Sequence, residues 1–464
     1  MELSLNKNNA FFYTFIIFGL FGGGCHKAST PDRVVVVGMD GLEMSMLQTM
    51  ISEGQLPNFQ RLFEEGYAGP LETIEPMLSP AIWTTVATGY LPDTHGVRDW
   101  INRSGRLTNS TDVKTSRIWE TISRYDRSSL ISGWLMTTPV TPLNGMMLSD
   151  RLVWNMSMDS RAVDESGSIP IGQSAIDGLW RHSLGSHLSG GTYPEELFAI
   201  AGNWLPSQAE LEASPIAYQL RSYGLGKHPL PKDEVNLRSF ERLWTDQDLA
   251  MLYLFSADQV SHLYWPFSDP SLVRLMESDR SIRTSQFAQL RATPGHENDR
   301  RIFPFVHGPL TDSQLEQAVR WVPDTYRWLD SALGRVMAKI DPTTTTLLVI
   351  SDHGFKRSNQ LVVIDSNHRN PGVILAWGGA LERQDQDETS VPASVTQIAP
   401  TVLALLGVPV AQDMAGAPMS DLFSMNNVSS VPSWRGRTTS GEVPESDPEL
   451  LLEQLRALGY LNDR

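Results

Sequence analysis

Short apolar runs alternate with longer amphipathic segments over most of the chain. Val34–Val37 is a continuous β-branched run, which is typical of a strand buried on both faces of a sheet. Other apolar runs predict strands at Leu130–Trp134, Met251–Phe255, Leu347–Ile350 and Val373–Trp377. Helical periodicity and end residues predict helices at Glu43–Ser52, Asn58–Glu65, Ile82–Thr88, Pro323–Ile340 and Thr396–Leu406. This alternation predicts an α/β fold, with a parallel sheet flanked by helices on both faces.

Composition divides the rest of the chain. The alternating pattern predicts one α/β domain over residues 33–424. Within it, a mixture of Gly, Ser, His and Trp with polar helical stretches, at about residues 156–246, is interpreted as an inserted cap. Residues 425–447 are rich in Ser, Pro and Asn and predict a linker, and residues 448–464 predict a short C-terminal helix.

The first residues have the features of a lipoprotein-type signal peptide. In residues 1–24, Lys7 lies in a short polar start, an apolar stretch follows, and three glycines precede Cys25. The apolar stretch is too short to span a bilayer comfortably. Small residues before a cysteine resemble the bacterial lipoprotein cleavage site. We therefore expect an exported protein on the periplasmic side of a bacterial membrane, anchored by a lipid on Cys25 and tethered by residues 25–32. The alternative is a plain secretory signal with an incidental cysteine.

Charge and cysteine content narrow the classes of partner. The formal net charge of −16 makes a polyanion such as DNA or RNA a poor partner, so we expect no binding of nucleic acid duplexes. Cys25 is the only cysteine of the chain, which excludes an intrachain disulfide.

Carboxylate and imidazole side chains recur where the predicted strands end. They are Asp40, the pair Asp258 and His262, the pair Asp352 and His353, and His368 just before a strand. Because ligands of open α/β sheets bind at the carboxyl ends of the strands, we expect these side chains to converge. Taken singly, each has an ordinary explanation as a turn former, a helix cap or a hydrogen-bonded histidine. Together they form the ligand set that suits zinc, and also manganese or iron.

Ser79 is the candidate nucleophile. It precedes Pro80 and a predicted helix, a place where serine is often only an N-cap. The same geometry would direct the positive end of the helix dipole and free N–H groups toward a phosphoryl oxygen. A neighbouring metal ion could then activate the hydroxyl without a histidine base.

Several stretches, in one order along the chain, resemble the alkaline phosphatase superfamily, and most closely its type I phosphodiesterase / nucleotide pyrophosphatase family. They span roughly residues 33 to 416 and read VVVVGMDGL, LPNFQRLFEEG, SPAIWTTVATG with its following HG, LFSADQVSHLYW, VISDHGF, NHRNPGVILAWGG and IAPTVLALLGVP. The resemblance implies an alkaline-phosphatase-like sheet with an inserted cap. It also implies two divalent metal ions, with Zn²⁺ as the expected metal.

The resemblance implies a role for each site residue. The ligands of one metal match Asp40, Ser79, Asp352 and His353, and those of the second match Asp258, His262 and His368. The family spacing to Gly89 selects Ser79 as nucleophile over Thr84 or Thr85. His95 matches a family histidine that is not a ligand, so we expect a structural role. The implied reaction is hydrolysis of a small-molecule phosphate ester through a covalent phospho-Ser79 intermediate.

Two departures from the family pattern bear on the substrate. The family asparagine that binds a phosphoryl oxygen would fall at Trp100, and Asn102 or Asp99 is close enough to replace it. We take Asn102 as the candidate substrate-binding residue. Ala81 and Trp83 stand where the sulfatase signature needs Pro and Arg, so that signature is missing.

Other functions use the same residues. A phosphomonoesterase, or a phosphotransferase that passes a head group to an envelope acceptor, would need the same nucleophile and ligands. A catalytically inactive envelope binding protein is the non-enzymatic alternative. Such a protein would be expected to have lost at least one of the seven matched positions, and all seven are present.

Overall fold

The computed structural model describes residues 33–150, 184–186, 229–280, 310–357, 366–382, 392–425 and 427–436. The predicted signal peptide with Cys25, most of the predicted cap and the predicted C-terminal helix lie outside the described residues. No helix within the described ranges is both long enough and apolar enough to cross a membrane.

The described part of the chain contains α-helices and short 3₁₀ helices. The α-helices are α1 (Met44–Ser52), α2 (Pro57–Glu65), α3 (Ser79–Thr88), α4 (Pro92–His95), α5 (Ile118–Ser123), α6 (Pro229–Leu243), α7 (Ser256–Tyr264), α8 (Pro270–Ser278), α9 (Asp312–Met337) and α10 (Ile398–Leu405). The 3₁₀ helices are Ser110–Asp112, Trp265–Ser268 and Val395–Gln397.

The strands form one large sheet and two small ones. They are β1 (Arg33–Met39), β2 (Tyr67–Glu72), β3 (Ser129–Ser132), β4 (Gly145–Leu148), β5 (Leu184–Ser186), β6 (Leu249–Leu254), β7 (Thr345–Ser351), β8 (Gly354–Arg357), β9 (Ser366–Arg369), β10 (Gly372–Gly378), β11 (Ala393–Ser394), β12 (Val410–Ala411) and β13 (Ser430–Val431). Among the described residues, nine strands form the large sheet in the order β11-β2-β10-β7-β1-β6-β3-β4-β5.

The large sheet is mostly parallel, which confirms the predicted fold class. Strand β1 lies between β7 and β6 and is parallel to both. Every residue of β6 and β7 is buried, and so is β1 after its first residue. Strands buried on both faces are expected when helices cover both sides of a parallel sheet.

Strand β10 differs from a purely parallel sheet, because it is antiparallel to both β7 and β2. Its first residues therefore lie at the edge where β7 ends, and Val373 pairs with Ser351. This reversal explains how a residue that precedes a strand can join residues that follow strands. Strand β5, at the far edge, is also reversed relative to β4.

Helix α9 begins eleven residues before the predicted start at Pro323. Thr311 caps its N-terminus in a capping box with Gln314, and Pro323 lies inside the helix. An interior proline is normally a helix breaker, which is why the sequence pattern placed the boundary there.

Part of the range assigned to the cap packs on the core sheet. Helix α6 contacts β3 and β6, and the Ser132 hydroxyl donates to the Asn236 carbonyl at 2.9 Å. Within the predicted linker, β13 pairs with β12, and the backbone N–H of Trp434 donates to the Tyr90 hydroxyl at 3.0 Å. The division into cap, linker and tail remains a prediction.

Candidate metal centre

The site lies at the carboxyl ends of β7, β1 and β6, the three adjacent strands at the middle of the sheet. Asp40 follows β1 directly, and Asp352 and His353 follow β7. Helix α7 follows β6 after one residue and carries Asp258 in its first turn and His262 in its last. His368 lies on β9, just before the reversed strand β10. The sheet therefore brings together all six predicted acidic and imidazole ligands.

Asp40, Asp352 and His353 form the first group. One ligand atom from each lies within 4.8 Å of the others. His353 Nε2 is 3.3 Å from Asp40 Oδ1 and 3.6 Å from Asp352 Oδ2. All three side chains are buried.

Asp258, His262 and His368 form the second group. Asp258 Oδ1 is 3.3 Å from His262 Nε2 and 3.5 Å from His368 Nε2. The two Nε2 atoms are 3.1 Å apart. His353 Nε2 is also 3.7 Å from Asp258 Oδ1, so His353 lies between the two groups rather than only in the first. Asp258, His353 and His368 accordingly form a second set of possible ligands within 4.8 Å.

Backbone carbonyls orient two of the histidines. His368 Nδ1 is 2.8 Å from the Met77 carbonyl, and His353 Nδ1 is 3.2 Å from the Gly354 carbonyl. A carbonyl only accepts, so each Nδ1 carries a proton, and in the neutral form of each imidazole Nε2 has the lone pair. These two Nε2 atoms are the ones that lie 3.3 Å from Asp40 Oδ1, for His353, and 3.5 Å from Asp258 Oδ1, for His368. This is the arrangement that metal-ligating histidines usually adopt.

Burial and mutual repulsion perturb the carboxyl groups. Burial, together with the negative charge of Asp258, raises the pKa of Asp40 to about 6. Burial and the charge of Asp40 raise the pKa of Asp352 well above its ordinary value. Burial also acts to raise the pKa of Asp258, but the charges and hydrogen bonds of His262 and His368 outweigh it and hold that pKa well below its usual range.

The imidazoles respond to the same surroundings. Burial, followed by the positive charge of His368, lowers the pKa of His353 well below its ordinary value. Burial acts to lower the pKa of His368, but Asp258 outweighs it and raises that pKa. Several buried acids that repel one another form a site that a cation would stabilise.

The donor set fits a divalent metal ion. Asp40 Oδ1, both Asp352 carboxyl oxygens and His353 Nε2 are buried and have no hydrogen-bond partner among the residues that the structure describes. Buried polar atoms normally find partners, so these atoms call for an explanation. Oxygen and nitrogen ligands are those of zinc, manganese and iron sites.

Ser79 belongs to a segment that contacts both groups. Two residues before it, the Met77 carbonyl contacts His368, and one helical turn after it, Trp83 donates to Asp40 at 2.9 Å. Leu78, not Ser79, is the N-cap of α3, and Ser79 is the first helical residue. Its hydroxyl is buried without a hydrogen-bond partner among the described residues. The ordinary explanation, that this serine caps the helix, therefore does not apply.

The other hydroxyls of α3 are engaged. Thr84 donates to the Pro80 carbonyl at 2.6 Å, and Thr85 donates to the Ala81 carbonyl at 3.0 Å. His95 contacts Thr85 through Nε2 at 3.0 Å and accepts from a backbone N–H through Nδ1. Burial lowers the pKa of His95 to about 3, so the imidazole is neutral at pH 7. These contacts join α3 to the following turn.

Asn102 is engaged within its own loop. Its amide donates to Asp112 at 3.2 Å, and its carbonyl oxygen accepts from the backbone of Ser104 at 3.0 Å. None of the contacts described for Asn102 involves Ser79 or the acidic cluster. Its role in substrate binding remains a prediction.

Phe355 is a site residue that the strand-end argument did not single out. Its ring packs edge-on against the imidazoles of His262, His353 and His368, with centroid distances of 5.3, 5.5 and 5.4 Å. Such packing restricts all three rings to one orientation. Its sequence position, two residues after His353, was the available indication.

One family model matches most of the chain. The family model described as type I phosphodiesterase / nucleotide pyrophosphatase matches residues 34–405. No match is found among curated proteins.

Solved structures similar to the chain include a phosphonate monoester hydrolase from Silicibacter pomeroyi (13% identity, 87% of this chain and 78% of that chain covered, TM-score 0.44). Human ectonucleotide pyrophosphatase / phosphodiesterase 5 is 12% identical, with 84% of this chain and 99% of that chain covered and a TM-score of 0.44. A 2-O glycosaminoglycan sulfatase is also 12% identical, with 87% and 76% covered and a TM-score of 0.49.

The family match covers well over half of the 464 residues and includes every residue of the acidic and imidazole cluster. The family inferred from the sequence motifs is thereby confirmed. The protein belongs to the type I phosphodiesterase / nucleotide pyrophosphatase family, and this membership supports a hydrolase of phosphoesters.

Proposed function

We propose that the protein is a metal-dependent hydrolase of phosphate esters, of the phosphodiesterase type, in which Ser79 is the nucleophile. The observation that carries the proposal is the state of the Ser79 hydroxyl. It is buried and lacks a hydrogen-bond partner among the described residues, in a segment whose neighbouring residues Met77 and Trp83 contact His368 and Asp40. A structural serine in that environment would be expected to hydrogen-bond.

Asp40, Asp352 and His353 would hold one divalent ion, and Asp258, His262 and His368 would hold the other, with His353 near both. When bound, divalent cations at such ligands supply positive charge that stabilises phosphoryl oxygens and lowers the pKa of a nearby hydroxyl or water. The seven residues include three carboxylates, which would offset most of the charge of two such ions. The mixed nitrogen and carboxylate ligands suit Zn²⁺, and we propose Zn²⁺ because the family resemblance implies it.

The proposed reaction has two steps. Ser79 Oγ gives up its proton and attacks phosphorus. The Oγ–P bond forms as the ester P–O bond opposite it breaks, and the leaving oxygen takes up a proton and departs as the alcohol. Water then attacks phosphorus opposite Oγ and forms a new P–O bond as the Oγ–P bond breaks. The proton that the water gives up offsets the one that Oγ regains, so the phosphate product leaves and the serine hydroxyl is restored. Phe355 keeps the three imidazoles in place during both steps, because its ring contacts all of them.

The test is hydrolysis of bis-p-nitrophenyl phosphate, p-nitrophenyl phosphate and p-nitrophenyl sulfate by the zinc-loaded protein and its variants. We expect Ser79→Ala to reduce kcat about 10³-fold or more, as loss of a nucleophile does in other hydrolases. Thr84→Ala is the matched control, because it removes a hydroxyl of the same helix that only contacts a backbone carbonyl. Acid quenching followed by peptide mass analysis should find the phosphoryl group on Ser79.

Two results would contradict the proposal. One is full activity of Ser79→Ala. The other is no turnover of any ester by protein shown to contain two equivalents of zinc, which would favour the inactive binding protein. A preference for the monoester would place the protein among phosphomonoesterases, and transfer to an added alcohol would indicate a phosphotransferase.

We also propose, from the sequence of the first 25 residues, that the chain is exported and lipid-anchored on Cys25. Replacing Cys25 by Ser should move the protein from the membrane fraction of a bacterial host to the soluble periplasmic fraction. An unchanged distribution would indicate that the cysteine is incidental.

A further inference from the structure

The two carboxyl oxygens of Asp40 have different surroundings. Oδ2 accepts from the Trp83 indole N–H at 2.9 Å and from the Tyr253 hydroxyl at 2.5 Å. Oδ1 has no hydrogen-bond partner among the described residues and lies 3.3 Å from His353 Nε2. One oxygen is thus fixed by two donors, while the other is directed at the cluster.

The two donors come from different elements that flank the nucleophile. Trp83 lies one helical turn after Ser79 on α3, so its hydrogen bond ties the nucleophile helix to the end of β1. Tyr253 lies on β6, where it pairs with Gly38 of β1. Asp40 is therefore connected both to the helix that carries Ser79 and to the strand that leads to Asp258.

The rings that carry these donors cannot move freely. Trp83 is fully buried, and Tyr253 is 2% exposed. Trp83 packs edge-on against Trp134 and Tyr253, with ring centroids 5.2 and 5.1 Å apart. Gly38 leaves the space for Trp83, because a Cβ at that residue would lie 2.7 Å from the indole ring. Buried rings in such contacts keep one rotamer, so both donors stay aimed at the same oxygen.

We propose that Trp83 and Tyr253 are positioning residues that occupy Oδ2 of Asp40, so that Asp40 offers only Oδ1 to the metal and stays at a fixed distance from Ser79. The proposal rests on the proposed metal-dependent function. It goes beyond that function by assigning a role to two aromatic side chains that do not themselves contact a metal ion or the reacting atoms. The alternative is a purely structural role, in which the two rings only fill the core.

Removal of either donor would free one lone pair of Oδ2 and allow the carboxylate to rotate. Residues that orient a metal ligand in this way typically change metal affinity or activity about 10- to 100-fold when they are replaced. A ring that only fills space would affect stability but would leave metal affinity unchanged. Metal affinity is therefore the measurement that separates the two explanations.

Both test variants keep an aromatic ring. Tyr253→Phe removes only the hydroxyl donor, and Trp83→Phe removes the N–H donor together with part of the ring. Trp134→Phe is the matched control, because its indole N–H donates to the backbone carbonyl of Trp83 at 3.4 Å and not to Asp40. Zn²⁺ affinity is measured on chelator-stripped full-length protein by competition with a chromophoric chelator. The constants kcat and KM for bis-p-nitrophenyl phosphate are then measured on the zinc-loaded proteins.

We expect Trp83→Phe and Tyr253→Phe each to lower the affinity for one of the two zinc ions by about 10-fold or more. Each should also lower kcat more than it changes KM. Trp134→Phe keeps a ring against Trp83 and removes no donor to Asp40, so it should bind zinc like the wild type. If all three variants bind zinc equally, or if the wild type binds no zinc, the proposal is wrong. Should Trp83→Phe fail to fold, Tyr253→Phe decides alone, since it removes a single oxygen. A difference in zinc affinity without turnover of any ester would contradict the proposed function but not this inference.

Discussion

Glu43 joins three segments that carry candidate ligands, so its replacement should weaken both the fold and the site. Its carboxylate is 4% exposed. Oε2 accepts from the Phe355 N–H at 3.2 Å, and Oε1 accepts from Arg369 Nη1 at 3.1 Å and from the Ser45 hydroxyl at 3.0 Å. Phe355 follows His353, Arg369 follows His368, and Glu43 itself lies three residues after Asp40.

Glu43 also explains the glycine after His353. A left-handed backbone does not explain Gly354, because its φ is not among the positive values of the described residues. A Cβ at Gly354 would instead lie 2.1 Å from Glu43 Oε2. The glycine therefore makes room for this carboxylate.

Glu43→Gln keeps the shape and removes the charge. A hydrogen bond to a charged group is worth about 1.5–3 kcal/mol and a neutral one about 0.5–1.5, so the buried Phe355 bond should lose about 1 kcal/mol. The Arg369 side chain is half exposed, and solvent screening limits the loss of that ion pair to at most about 1 kcal/mol. We expect a fall of about 1–2 kcal/mol in the free energy of unfolding, the sum of these two contributions.

The assay is equilibrium urea unfolding of the metal-free protein, followed by tryptophan fluorescence. Arg369→Gln is the matched control, because it removes only the half-exposed partner and should cost at most about 1 kcal/mol. In 1 M NaCl the control's deficit should largely disappear, since salt screens exposed charges, whereas the deficit of Glu43→Gln should persist in part. Equal losses in the two variants, or a Glu43→Gln deficit that vanishes in salt, would refute the assignment of the buried Phe355 bond.

Three further outcomes follow from the structure. Gly38→Ala places a methyl group 2.7 Å from the Trp83 ring, so urea unfolding should show a loss of about 1–3 kcal/mol. Burial lowers the pKa of His95 to about 3, so as the pH falls the unfolded chain takes up this proton before the folded protein does. The wild type should therefore lose free energy of unfolding relative to His95→Gln between pH 7 and pH 4. The difference between the two proteins should narrow by up to about 1.4 kcal/mol per pH unit. A constant gap would disprove that assignment. Burial and the charge of Asp40 raise the pKa of Asp352, so the ionised carboxylate destabilises the metal-free protein. Asp352→Asn should have a higher Tm than the wild type in chelator at pH 8 and a lower Tm in saturating zinc. If the same protein has the higher Tm in both conditions, the result counts against the metal site.

The sequence alone determined the elements of the core and the residue types of the site. β-Branched runs such as Val34–Val37 predict buried strands because side-chain burial on both faces leaves no polar positions. The strands observed at β1, β6, β7 and β10 contain or overlap the predicted ones. The placement of acids and histidines after those strands indicated a common edge, since parallel strands end on the same side of a sheet.

Only the tertiary structure decided how these residues meet. The reversal of β10 brings His368 to the edge where β7 ends, and no local pattern encodes the direction in which a strand pairs. The position of His353 between both groups depends on distances between segments that are far apart in the chain. The same holds for the hydrogen bonds of Trp83 and Tyr253 to Asp40, because periodicity shows that an aromatic residue is buried but not which polar atom its donor reaches.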